Sequence, residues 1–288
     1  MAIVNSKISA PESPLLSSFH RANMALNHAD PWIKYHNYLT KWVDEAAAWV
    51  AKKQVDDKPQ QILDVACGTG SPSLYFARQY PDAHLEACDL QASYLEIAAC
   101  LATEQGLKSI NFTCCGAEKL PYADGTCDML SCFFSLMYFQ NKEAALDEFL
   151  RVVRPGGSIW ITTWAKYNAL FDSVRNLLPT EYPSELPSKQ PNPHSLSDEE
   201  KLLNLLKGRS MTAYTIHEEQ INLRWEGAAS ALWDFVKASN PDITRQLQMM
   251  EAPQRIDIDR QILEKFNEFS KGEYLLFPVA MIVSQIQR

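Results

Sequence analysis

The residues with the strongest chemical signature lie between positions 62 and 72, Ile62-Leu63-Asp64-Val65-Ala66-Cys67-Gly68-Thr69-Gly70-Ser71-Pro72. An apolar run that reads as a buried strand ends in a turn of small residues, and a helical pattern follows at once. Ser71 can cap that helix, and Pro72 suits its first turn, where no amide hydrogen is needed. Gly68 and Gly70 let the backbone approach a ligand at the carboxyl end of the strand. A pyrophosphate-binding turn would carry the spacing G-x-G-x-x-G, to seat an anion on the helix amides. Here the third position is Ser73, Pro72 removes an amide, and the acid Asp64 precedes the glycines. An acid at that place is unfavourable for a phosphate and favourable for a cationic amine.

A second acid, Asp89, ends the next strand-like run, 25 residues after Asp64. A carboxylate there can accept both hydroxyls of a ribose as a bidentate pair; the plainer reading is a turn or helix-capping residue. Together the two acids and the glycine turn favour a cationic amino-acid nucleoside, S-adenosylmethionine, over NAD. Groups able to take a proton from a substrate are His20, His28, His36, His194 and His217, with Tyr35 and Tyr138 as hydrogen-bonding partners. Of these, His36, Tyr35 and Tyr138 are the candidate catalytic residues, the first two only because the family resemblance described below implies that an aromatic helix before the first strand covers the cofactor. No Cys/His spacing suits a metal: the seven cysteines, at 67, 88, 100, 114, 115, 127 and 132, include no CxxC pair.

These residues need a scaffold, and the pattern between 62 and 165 provides one. Strands are expected at Ile62–Ala66, His84–Cys88, Asn111–Cys114, Asp128–Phe133 and Ser158–Trp164. Helices are expected at Ser71–Tyr80, Ala92–Gln105 and Lys142–Val153. Strands alternating with helices of this length imply βαβ units and a mostly parallel, doubly wound α/β sheet. Upstream, Trp32, Tyr35, Tyr38, Leu39, Trp42, Val43, Ala46 and Val50 recur at three- and four-residue spacing, as on a helix with an aromatic face. Residues 166–211 carry Pro179, Pro183, Pro187, Pro191 and Pro193 and read as a lid or pocket wall. Later come a strand near Thr212–Leu223, helices at Ala228–Ala238 and Asp257–Ser270, and a strand at Tyr274–Val283. The expected division is an arm and helical cap over 1–58 and one domain over 59–288, with 166–211 inserted before the last strands.

The string around Gly68 resembles the first motif of class I methyltransferases, D-x-G-x-G-x-G, with Ala66 in place of the first glycine. The order of elements over 62–165 is similar too, most of all to small-molecule enzymes such as the ubiquinone- and menaquinone-biosynthesis C-methyltransferases. The resemblance implies a Rossmann-like seven-stranded sheet with an antiparallel final pair and an S-adenosyl-L-methionine site. By the same resemblance Asp64, Ala66, Gly68 and Gly70 form the cofactor turn, Asp89 holds the ribose and Leu90 packs on the adenine. Where the family often has an adenine-binding Asp, this chain has Gly116, leaving the backbone of Ala117 and the side chain of Glu118. Phe133 would end the fourth strand beneath the methionine part. Alanine is tolerable at 66 as long as that residue does not need a positive φ. Glu148 and Arg151 through Gly157 look structural. A same-fold scaffold that binds the cofactor without methyl transfer is the alternative reading, since binding residues are not transfer residues.

Composition narrows the field. With 288 residues and 46% hydrophobic content the chain can bury a sizeable core. A net charge of −8 without a Lys/Arg run disfavours nucleic acid. No run of about 18 apolar residues occurs, and the first residues do not read as a secretory signal. The expectation is a cytoplasmic enzyme, monomer or homodimer, acting on a small-molecule substrate that is apolar or aromatic.

Overall fold

Alternating apolar runs and amphipathic helices build a single mixed sheet with helices on both faces. The structure is a computed structural model that describes residues 7–8, 30–54, 58–178 and 194–288. Its parallel part comprises β2 (Gln61–Val65), β3 (His84–Asp89), β4 (Ile110–Cys114), β5 (Cys127–Phe133) and β6 (Val153–Asn168). The antiparallel strands β7 (Ala213–Trp225) and β8 (Leu275–Gln287) extend it. A two-residue strand, β1 (Lys7–Ile8), adds an eighth strand beside β4, outside the seven expected. The spatial order is β1-β4-β3-β2-β5-β6-β8-β7.

That order reverses at β2: the chain runs outward to β3 and β4, then returns to pair β5 on the other side of β2. Crevices for ligands open at the carboxyl ends of strands at such a reversal. Helices α3 (Ser71–Gln79) and α4 (Ala92–Glu104) make the first two crossovers, and α5 (Lys142–Val152) makes the third. They bury Leu74, Phe76, Leu95, Ala98, Leu146 and Phe149 against strands whose own residues are apolar on both faces.

The aromatic helical pattern divides in two at Tyr35, giving α1 (Pro31–Lys34) and α2 (His36–Lys53). Asp30 caps α1, and its other carboxylate oxygen accepts from Tyr94 Oη of α4 at 2.9 Å. At the far end of α2, Gln54 Oε1 accepts from Trp160 Nε1 at 3.0 Å; nearer its start, Trp42 Nε1 donates to the Arg224 carbonyl at 3.0 Å. The first turns of α2 therefore stand at the carboxyl end of the sheet. Tyr35, Leu39 and Trp42 belong to the same continuous core as the strands, so the cap packs as part of the domain.

The remaining helices are α6 (Ala169–Arg175), α7 (Glu199–Leu206), α8 (Ala229–Ser239), α9 (Pro241–Met249) and α10 (Ala252–Asn267). Helix α9 is absent from the sequence reading. Pro241 looks like a breaker, yet Asn240 caps Ile243 N and the proline occupies the first position, where its missing donor costs nothing. The cysteines form no disulfide. No helix among the described residues is long and apolar enough to cross a membrane. His20, His28 and the prolines at 179, 183, 187, 191 and 193 lie outside the described residues.

Candidate functional site

At the end of β2 the backbone turns through three left-handed residues, Ala66 (φ +57°), Gly68 (+58°) and Gly70 (+93°). Ala66 does need a positive φ, which corrects the sequence expectation. A Cβ in that region meets the following carbonyl, so alanine holds it at a cost of about 1–2 kcal/mol relative to an ordinary conformation. Gly68 and Gly70 are glycines for different reasons. A Cβ on Gly70 would lie 2.8 Å from Ala98 Cβ, so this residue lets α4 approach. A Cβ on Gly68 would meet nothing within 4 Å, and its face of the turn is open.

Asp64 sits under the turn and is fully buried. Ser73 Oγ donates to Asp64 Oδ2 at 2.5 Å and Ser131 Oγ to Oδ1 at 2.7 Å. Both oxygens thus face hydroxyls of α3 and β5, where the sequence reading had the carboxylate facing an amine directly. Desolvation by burial pushes the Asp64 carboxyl up to about 7, against the two serine hydrogen bonds that favour its charged form. The serines were not foreseen; their only signal was a small polar residue inside otherwise apolar runs. Ser71, expected as the helix cap, is the first helical residue instead. Gly70 occupies the capping position, and the Ser71 hydroxyl lies 2.8 Å from the Thr40 carbonyl and 2.7 Å from Asp44 Oδ1.

Asp89 stands at the tip of β3, and its carboxylate reaches across to the neighbouring turn. Gly68 N donates to Oδ2 and Gln91 N to Oδ1, each at 2.9 Å. Burial raises this carboxyl despite those amides. Leu90 follows with 71% of its surface exposed, which leaves an apolar face at the rim of the crevice. Across that rim lies Gly116: a Cβ there would be 3.9 Å from Leu90 Cδ1 and 3.3 Å from Glu118 Oε2. Ala117 is buried and Glu118 exposed. The loop carrying both is clamped from behind. Leu120 N donates to Glu148 Oε2 at 2.7 Å, and Arg151 pairs with Glu148 while donating to the carbonyls of Leu120 and Tyr122.

Phe133, expected at the methionine part, packs inward: its ring meets Phe76 of α3 edge-on at 6.0 Å. The residue at the tip is Phe134, which holds φ +50° and stacks on Trp164 at 4.1 Å. The FF pair alone gives no sign of which ring leaves the sheet; the ladder does, because Phe133 still pairs with Thr162 and Phe134 does not. Ser135 Oγ then lies 2.9 Å from the Phe133 carbonyl and 3.4 Å from that of Ala66, joining the tips of β5 and β2.

The candidate proton-transfer groups separate. The Ser71–Thr40 contact sets the first turns of α2 beside the glycine turn, and His36 lies one turn before Thr40 on the same helix face. His36 is buried, and desolvation pushes its imidazole below the usual histidine range. Tyr35 is packed between Tyr38, Trp225 and Phe235, and Lys34 lies 4.9 Å over its ring and shares a hydrogen bond with its side chain. Tyr138 closes the 3-10 turn Leu136–Tyr138 after β5, and burial pushes its hydroxyl up to about 12. His194 contacts Arg175 at 3.2 Å. His217 lies on the edge strand β7 beside Trp49 and Glu219, with β6 and β8 between it and β5. The returning end of the insertion is pinned near the strand tips, by Ser195 Oγ to the Met137 carbonyl at 2.9 Å and Thr163 Oγ1 to the Leu196 carbonyl at 2.8 Å.

A doubly wound sheet with an open glycine turn and an acid at the next strand tip defines a nucleoside-binding α/β domain. Residues 62–157 match the family described as Methyltransferase domain. The chain is 31% identical over 145 residues to ajmaline N-methyltransferase of Rauvolfia serpentina, covering 50% of this chain and 49% of that protein. The chain thus spans about half the length of that curated relative. Among solved structures it is similar to the YcgJ protein of Bacillus (TM-score 0.56, 18% identity, 85% of this chain and 98% of that one). It is also similar to the [4+2]-cyclase SpnF (TM-score 0.50, 21% identity, 85% and 80%). Residues 62–157 thus resemble a methyltransferase domain, and the chain has the class I methyltransferase fold.

Proposed function

We propose that this chain transfers a methyl group from S-adenosylmethionine to carbon, oxygen or nitrogen of a small organic acceptor that is apolar or aromatic. The observation that carries the reading is the bond from Gly68 N to Asp89 Oδ2 beside the open face of Gly68. It joins a backbone cradle, a carboxylate and the exposed Leu90 into one rim with the chemistry a cationic nucleoside needs. The residues present fit that cofactor. Gly68 and Ala66 offer backbone to the amino-acid part, Asp89 a carboxylate to the ribose, Leu90 an apolar face to the base, and Ala117 and Glu118 polar groups to its edge. Asp64, held under the turn by Ser73 and Ser131, supports the cradle from beneath, and a cationic end bound above would favour its ionised form. When bound, the cofactor supplies an electrophilic methyl group on a sulfonium.

The chain's own residues must then orient the acceptor, exclude water and, for an acceptor that loses a proton, take it. His36 suits the last role, because its depressed pKa keeps a neutral imidazole available near neutral pH. Tyr138 stays protonated there and can donate a hydrogen bond; Tyr35, next to His36 in the chain, anchors this end of α2 in the aromatic cluster. We place the protein in the cytoplasm, as a monomer or homodimer acting on small molecules rather than nucleic acid; the net charge of −8 supports this.

Calorimetry against S-adenosylhomocysteine and NAD tests the reading. Binding of the first and not the second is expected; no heat and no thermal shift at millimolar S-adenosylhomocysteine would overturn it. A second reading, a cofactor-binding scaffold without methyl transfer, is favoured by the similarity in fold to a cyclase. Labelled S-adenosylmethionine incubated with a substrate extract separates the two, because a scaffold yields no S-adenosylhomocysteine.

A further inference from the structure

Among the described residues only two that are not glycine hold a positive φ, Ala66 and Phe134. Each stands one residue beyond the end of a strand, β2 and β5, and these strands are parallel neighbours. Bulky residues rarely adopt this conformation, and strain of this kind persists only where the surroundings enforce it. At Ala66 the glycine turn is the reason. At Phe134 the strained backbone takes the ring out of the ladder while its amide still donates to the Thr162 carbonyl at 2.9 Å. The ring then lies over Trp164, with centroids 4.1 Å apart and planes 24° apart. Trp164 is buried and Phe134 half-buried, so what the pair exposes belongs mainly to Phe134.

The charged side chains near the end of β6 do not turn this surface into a cation site. Lys166, two residues past Trp164, is itself a cation and pairs with Asp198 at 3.5 Å, and Asp198 also pairs with Lys201 at 3.3 Å. Among the described residues the carboxylate near this end of β6 is thus shared by two cations, and the ring of Phe134 rewards a flat, uncharged ring by offset stacking beyond the area buried.

We propose that Phe134 and Trp164 form the acceptor-recognition surface, and that the acceptor presents a flat, uncharged aromatic ring to it. This rests on the methyl-transfer reading above, so the test separates the two. The wild-type chain is titrated with 2-naphthol, with its saturated analogue decahydro-2-naphthol and with tetramethylammonium, each with and without S-adenosylhomocysteine. The expected result is 2-naphthol bound about tenfold more tightly than the saturated analogue. Phe134→Leu, which keeps apolar volume without a ring, brings the two within about twofold, and Phe134→Tyr retains the preference. S-adenosylhomocysteine affinity stays the same in all three proteins. Equal binding of the flat and saturated probes, no binding of 2-naphthol at millimolar concentration, a preference that survives Phe134→Leu, or tighter binding of tetramethylammonium each overturns the proposal. Loss of S-adenosylhomocysteine binding in the wild type overturns the methyl-transfer reading instead. Far-UV circular dichroism and melting of Phe134→Tyr alongside Phe134→Leu keep a folding defect apart from a loss of recognition.

Discussion

The two halves of the crevice are made from different materials. On the side of β2, β3 and β4 the site is backbone: left-handed residues at 66, 68 and 70, amides of Gly68 and Gln91 on Asp89, and a loop clamped by Glu148 and Arg151. On the side of α2, β7 and α8 the structure is aromatic side chains: Tyr38 stacks on Trp225 at 4.2 Å, Phe235 on the same indole at 6.0 Å, and Tyr35 and Trp42 close around them. A ligand common to many enzymes can be held by atoms every residue possesses. The buried aromatics, Trp225 among them, instead fix how α2 sits over the sheet.

If that division holds, damage to each side has a separate signature. Trp225→Ala empties a fully buried site in the aromatic half and should cost about 3–5 kcal/mol by urea unfolding. Affinity for S-adenosylhomocysteine should stay within about twofold in protein that remains folded, since the change removes packing and no backbone group of the turn. A tenfold loss of cofactor affinity in this variant would break the comparison.

Gly70→Ala strikes the other half. A positive φ and a Cβ at 2.8 Å from Ala98 together should cost about 2–4 kcal/mol. Adding Ala98→Gly should return the steric part but cost about 0.5–1 kcal/mol as a mid-helix glycine, leaving the double variant about 1.5–3 kcal/mol below wild type. Recovery of the whole loss in the double variant would show that conformation at Gly70 is unimportant.

The pH dependence of stability gives a finer probe. Asp64 has a carboxyl raised from 3.8 to about 7, so the folded chain holds that proton over a window in which the unfolded chain has released it. Stability from the neutral form is full below about pH 4 and is lost as pH rises toward 7, after which it changes no further. Asp64→Asn cannot ionise and should flatten that slope in melting curves between pH 4 and 7. Equal slopes in variant and wild type would mean that Asp64 is ionised throughout. The smallest effect expected is Ala66→Gly, which relieves φ +57° but loosens the unfolded chain; a net gain of about 0.5–1 kcal/mol is anticipated in urea unfolding.

Much of this was readable in the chain itself. The glycine turn, the acid 25 residues on and the strand–helix rhythm of 62–165 are local patterns. Each follows from periodicity or from a residue type with one conformational use, and each appears within a residue or two of its expected bounds except the last strand of that segment, which runs Val153–Asn168 where Ser158–Trp164 is expected. Asp89 and Leu90 lie where a rim is formed, and Glu148 with Arg151 does structural service as expected. What failed were statements that depend on a second segment. Nothing local to Asp64 shows that Ser73 and Ser131 come from other elements to donate to its oxygens. Phe133 was chosen over Phe134 because no local signal distinguishes two adjacent rings. Ser71 was assigned to a helix cap when its hydroxyl belongs to a contact with α2.

By itself, then, the order of residues determined the kind of element at each position and the chemistry of the turn, because hydrophobic period, glycine and proline act on their own neighbours. Tertiary structure alone decided which way each functional group faces. It buried Asp64, opened Gly68, exposed Leu90 and turned Phe134 onto Trp164, since orientation and solvation are set by whatever distant chain arrives on the other side.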